Sequence, residues 1–108
     1  MKKQVLNAEF LKFTNDFLYR LRRIFNHLAP GAIKETRRHG VLYFNLREYN
    51  SWVCICNVYP GGVQLILKQS ARQESLKESL EYSMLYPPDW MTVLNLIMDL
   101  LDKLRRVP

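Results

Sequence analysis

Residues 41–69 read VLYFNLREYNSWVCICNVYPGGVQLILKQ, three short runs of β-type residues parted by two turn signals. In the first run Leu42, Phe44 and Leu46 alternate with Val41, Tyr43 and Asn45, the period of two that a half-buried strand requires. Arg47 to Ser51 is mostly polar and reads as a turn. The run from Trp52 to Val58 puts Trp52, Cys54, Cys56 and Val58 on one face and Val53, Ile55 and Asn57 on the other. Neither face is polar along its whole length, which suits a central strand covered on both sides. Pro60-Gly61-Gly62 joins a fixed φ to two permissive residues, and Val63, Leu65 and Leu67 then alternate with Gln64, Ile66 and Lys68. The stretch predicts an antiparallel meander of three strands or more.

Helical periodicity flanks the meander. From Ala8 to Leu28, Phe10, Leu11, Thr14, Phe17, Leu18, Leu21, Ile24, Phe25 and Leu28 recur at spacings of three and four, with Asn7 as N-cap and Pro30-Gly31 as the stop. Residues 32–40, AIKETRRHG, offer Ile33 as an apolar anchor and end on Gly40; they suit a short helix or an extended lead-in, and a short helical turn is the reading adopted. Ser70 and Ser75 each open a capping-box pattern, so a helix is expected over 70–82 with an extended link to Pro87. Leu80, Tyr82, Met84 and Tyr86 also alternate as strand residues would, and periodicity alone does not separate the two. The last helix opens at Pro88-Asp89, with Asp89 as N-cap and Trp90, Val93, Leu94, Ile97, Leu100, Leu101 and Leu104 as its apolar stripe. Leu96 and Met98 widen that stripe beyond what one buried face needs.

These elements compose one α+β domain over residues 1–108: two layers, a long N-terminal helix, an antiparallel meander and C-terminal helices. A length of 108 residues and 48% hydrophobic content suffice for a packed core. No run approaches the roughly 20 apolar residues of a membrane span, and no apolar leader follows Lys2-Lys3. The expectation is a cytoplasmic or nuclear protein without membrane contact. The formal charge of +6 is uneven: residues 1–54 hold ten Lys or Arg against four Asp or Glu, and residues 55–108 hold six of each. Such asymmetry suits an anionic partner.

Catalytic patterns are weak. Cys54 and Cys56 lie two apart on one strand, so their side chains project the same way, which disfavours a mutual disulfide and suits two small buried hydrophobes. A zinc site would require further ligands, and His27 and His39 stand at a spacing unlike common fingers. No phosphate-binding glycine loop, HExxH or GxSxG occurs. No cofactor and no metal are expected.

The apolar sum points elsewhere. A central strand with two apolar faces and a wide last helix leave surface for a protein partner or a second copy, with Tyr43, Trp52, Ile66, Leu96 and Met98 as contact residues. The leading expectation is a non-enzymatic protein-interaction module, a regulatory, adaptor or inhibitor subunit within an assembly. The alternative is a nucleic-acid-binding domain in which Arg20, Arg22, Arg23, Lys34, Arg37 and Arg38 form one basic patch. A small thiol-dependent enzyme centred on Cys54 or Cys56 is a second alternative.

Leu21 through Ala29-Pro30, Gly40 before Tyr43-Phe44, the turn Pro60-Gly61-Gly62-Val63 and the helix after Pro87-Pro88 follow the layout of the YdhG-like small α+β family, which the chain resembles over about four fifths of its length. That family's Trp-Gly-x-Pro turn falls on His39, Gly40, Val41 and Leu42, where only the glycine is kept. The resemblance implies a fold rather than an activity. The element order is also similar to that of double-stranded RNA-binding domains, but Pro88-Asp89-Trp90 stands where their last helix begins with basic residues.

Overall fold

A computed structural model of the chain describes residues 2–48, 51–69 and 77–105, with side chains described over 8–48, 52–69 and 77–105. The order is α1 (Lys2–Leu28), β1 (Ile33–Arg38), β2 (Val41–Leu46), β3 (Ser51–Tyr59), β4 (Gly62–Lys68), β5 (Lys77–Tyr82) and α2 (Trp90–Arg105). The five strands form one antiparallel sheet in sequence order, β1-β2-β3-β4-β5. An α+β fold with a meander is therefore what these residues make.

The meander extends beyond the three runs at its centre. Residues 33–38 are a strand rather than part of a helical turn, paired to β2 from Ile33↔Leu46 to Arg38↔Val41. The hairpin between them turns on His39 and Gly40, both at positive φ (51° and 79°), a two-residue turn whose twist matches the strands it joins. Residues 77–82 are a strand rather than a helix, with β5 paired to β4 from Val63↔Tyr82 to Lys68↔Lys77; the rest of the helix expected over 70–82 lies outside the described residues. Among the described residues, α2 is the one helix after the sheet.

α1 begins at Lys2, so Asn7 lies within the helix rather than capping it. Its core stripe is Phe17, Leu21 and Phe25, each no more than 1% exposed. Phe25 stacks on Phe44 of β2 with centroids 4.7 Å apart, and Phe17 meets Tyr82 of β5 at 5.8 Å, so α1 crosses the sheet from β2 to β5. Asp89 caps α2 as expected: its carboxylate accepts the Met91 N–H at 3.2 Å and the Thr92 hydroxyl at 2.9 Å. Val93, Ile97, Leu100, Leu101 and Leu104 are buried against the same core.

Both helices join the core formed by Leu42, Phe44, Leu46, Cys54, Cys56, Val63, Leu65 and Leu67. Alternate residues then point to the other face, where Thr36, Tyr43, Ile55, Ile66 and Ser79 form one cross-strand row. Neither described helix covers that row.

Candidate interaction surfaces

A register irregularity decides what the face turned away from both described helices, termed the helix-free face, displays. Phe44 pairs with Cys54, yet the next residue, Asn45, pairs with Trp52, so Val53 is an extra residue in β3. This β-bulge reverses the parity of the strand beyond it. Val53 is buried, and Trp52 joins Asn45 on the helix-free face instead of following Cys54 and Cys56 into the core. The ammonium groups of Lys68 and Lys77, partners across β4 and β5, lie 5.1 and 5.8 Å from the Trp52 ring. Lys68 is only 2% exposed, so its charge is held under cover, with the Trp52 π face as one of its contacts.

The expected contact residues therefore fall on two surfaces. Tyr43, Trp52 and Ile66 share the helix-free face. Leu96 packs partly against the core, and Met98, 47% exposed, sits with Leu28, Asp99 and Arg105 beside a depression on the helix layer.

The expected basic patch is divided as well. Arg22 turns to β1, its Nε donating to both Glu35 carboxylate oxygens at 2.9 and 3.0 Å. Arg37 pairs with Leu42 and so belongs to the helix-side face of β1, whereas Lys34 and Arg38 pair with Asn45 and Val41 on the opposite face. Arg20 and Arg23 line a groove of about 440 Å³ between α1 and α2, with Asp16, Tyr19, Ile24, Trp90, Met91 and Leu94. Arg20 Nε donates to Asp16 at 3.2 Å and its guanidinium lies 5.9 Å from the Trp90 ring, which itself packs on Phe17. Arg23 lies 5.7 Å from the Tyr19 ring. The groove thus has an apolar floor, with the Arg20–Asp16 ion pair and the Arg23 guanidinium at its rim.

The segment leading into this groove had no place among the expected contact residues. Tyr86 N donates to the Ser83 hydroxyl at 3.1 Å and Ser83 N donates to the Tyr86 carbonyl at 3.0 Å, closing a turn on itself. Leu85 and Tyr86 on that turn are 85% and 76% exposed, and Met84 is exposed beside them. The available signal was Met84-Leu85-Tyr86 itself, a run of large side chains directly before Pro87-Pro88.

Cys54 and Cys56 are both buried among the core residues. Burial raises the Cys54 thiol pKa well above its ordinary value, reinforced by Cys56, and pushes Cys56 up to about 12 despite the lowering influence of Arg22 and Arg37. Such thiols keep their protons at neutral pH and supply no thiolate nucleophile. Among the described residues no group of three His, Cys, Asp or Glu could hold a metal ion. No described helix is long and apolar enough to cross a membrane.

Comparison of the chain with protein-family models, with curated proteins and with solved structures gives no match. What the protein does is therefore argued from these surfaces.

Proposed function

We propose that the protein is a non-enzymatic interaction module, an adaptor or regulatory subunit that docks a partner protein through the α1/α2 groove and the Ser83–Tyr86 turn leading into it. The observation that carries this is the display of Leu85 and Tyr86 on a turn fixed by two hydrogen bonds to itself. Single exposed apolar residues are ordinary. Three in succession on a fixed turn, with Tyr19 and Met91 exposed at the groove, favour an interaction surface. Arg20 and Arg23 against the single carboxylate of Asp16 leave the groove lining net positive, which favours a segment with apolar side chains and carboxylates.

Affinity capture from native extract tests this with three baits: wild type, Leu85→Asp/Tyr86→Asp and Arg20→Glu/Arg23→Glu. The expected result is a protein held by wild type and lost from both variants, each of which stays folded because the altered residues are exposed. Identical captured sets would refute the proposal. So would a wild-type dimer in light scattering that Leu85→Asp dissolves, because the occupant would then be a second copy.

A further inference from the structure

The helix-free sheet face has a chemistry distinct from that of the groove. Among the described residues its exposed strand positions carry the cations Lys34, Arg38 and Lys77 and the carboxylate Glu81, which accepts the Tyr59 hydroxyl at 3.2 Å, while Lys68 lies under cover beside Trp52. Two of these exposed cations come from β1 and one from β5, so they flank the apolar centre made by Ile55 and Ile66. A second copy placed face to face would set these cations against one another, and like-charge juxtaposition opposes that pairing.

A depression of about 270 Å³ lies at the β1–β2 side of this face, lined by Lys34, Thr36, Asn45, Leu46 and Arg47. Its floor is fixed: Asn45 Nδ2 donates to the Lys34 carbonyl at 3.2 Å and to the Thr36 hydroxyl at 3.1 Å. Two cationic side chains and a hydroxyl around a small polar hollow suit a phosphate. Aromatic groups adjoin it on the same face, Tyr43 across from Thr36 and Trp52 across from Asn45. Cations along a surface with aromatic platforms between them are what a flexible polyanion with π faces requires.

We propose that this face binds single-stranded nucleic acid, with a backbone phosphate in the hollow between Lys34 and Arg47 and bases stacked on Tyr43 and Trp52. A duplex is a poor occupant, because its bases are already stacked inside the helix and unavailable to side chains on an open sheet. The site lies on the opposite side of the sheet from the α1/α2 groove, so it stands or falls independently of the docking described above.

Fluorescence anisotropy of a fluorescein-labelled 15-mer of deoxythymidine, titrated with the full chain at several salt concentrations, tests the proposal. Neutralising about four phosphates predicts a log–log salt slope of roughly −3. Trp52→Ala and Tyr43→Ala should each weaken binding roughly five- to hundredfold, the loss of one stacked base. Lys34→Gln/Arg47→Gln changes exposed side chains alone, so it stays folded even where an aromatic variant does not; it should weaken binding and flatten the slope by about 1.4. Arg20→Gln/Arg23→Gln should leave both unchanged. No binding at low salt would overturn the proposal, as would an affinity indifferent to Lys34→Gln/Arg47→Gln. Equal competition by heparin and poly-glutamate, with Trp52→Ala inert, would also overturn it, because charge alone would then suffice and an acidic protein would be the better occupant.

Discussion

Asn45 and Trp52 stand opposite each other across β2 and β3 because Val53 is passed over in the register. With that residue in register, Asn45 would face Val53 and Trp52 would share the core side with Cys54. The bulge therefore sets the chemistry of the helix-free face. In a Trp90→Phe variant, Trp52 is the remaining tryptophan, half-buried beside two ammonium groups. Acrylamide should quench its emission appreciably. A blue-shifted emission that resists quenching would put the ring in the core and remove the bulge.

The stack of Phe25 on Phe44 ties α1 to β2 at the centre of the core. Phe44→Ala should cost about 3–5 kcal/mol in urea unfolding, the usual loss for a buried phenylalanine with no room to collapse. Leu11→Ala on the same helix should change stability by less than about 0.5 kcal/mol, because Leu11 is 58% exposed although it lies at core spacing in the sequence. Comparable losses at the two positions would contradict this layering.

Gly62 opens β4 directly after the Pro60-Gly61 turn, and a Cβ there would stand 2.9 Å from the Tyr82 carbonyl oxygen and 2.7 Å from the Tyr59 hydroxyl. The Tyr82 carbonyl is backbone and cannot swing aside as a side chain could. Gly62→Ala should therefore destabilise the fold by about 1–3 kcal/mol, the usual range for overpacking. An unchanged urea midpoint would mean that β5 does not approach β4 so closely.

Stability should fall at high pH through the core thiols. Above the ordinary thiol pKa of 9.0 the unfolded chain releases a proton that folded Cys56 keeps until about pH 12. The unfolded state then binds fewer protons, so stability drops as pH rises through that window, by up to about 1.4 kcal/mol per pH unit. The stability gap between wild type and Cys56→Ala should accordingly shift in favour of the alanine variant between pH 9 and pH 12. At pH 7.5 neither thiol should react with a disulfide reagent until the chain unfolds. A gap that stays constant with pH, or prompt native labelling, would place Cys56 outside the core.

Much of this fold was legible because burial and alternation agree in the meander: Leu42, Phe44 and Leu46 face the helices, and Val63, Leu65 and Leu67 do likewise. β1 was missed because an edge strand with one covered end needs few apolar residues, and Lys34, Arg37 and Arg38 hide the alternation while blunting the edge. At β5 a strand spacing and a helix spacing overlap on Leu80, and pairing with β4 decides between them. The parity of Trp52 was not legible, since a strand with two apolar faces accommodates a one-residue bulge without disturbing its pattern. Nor was the division of the basic residues. Alternation across β1 sends Arg37 to one side of the sheet and Lys34 and Arg38 to the other, a separation invisible until residues 33–38 are known to be a strand.

Site-specific photocrosslinking tests the docking of a partner protein most directly. A benzophenone amino acid placed at position 85, at position 91 beside the groove, and at position 103 on the exposed side of α2 samples the surface in native extract. The prediction is a discrete crosslinked product from positions 85 and 91, abolished by Arg20→Glu/Arg23→Glu, with none from position 103. Equal labelling at all three positions, or labelling indifferent to the charge reversal, would contradict it.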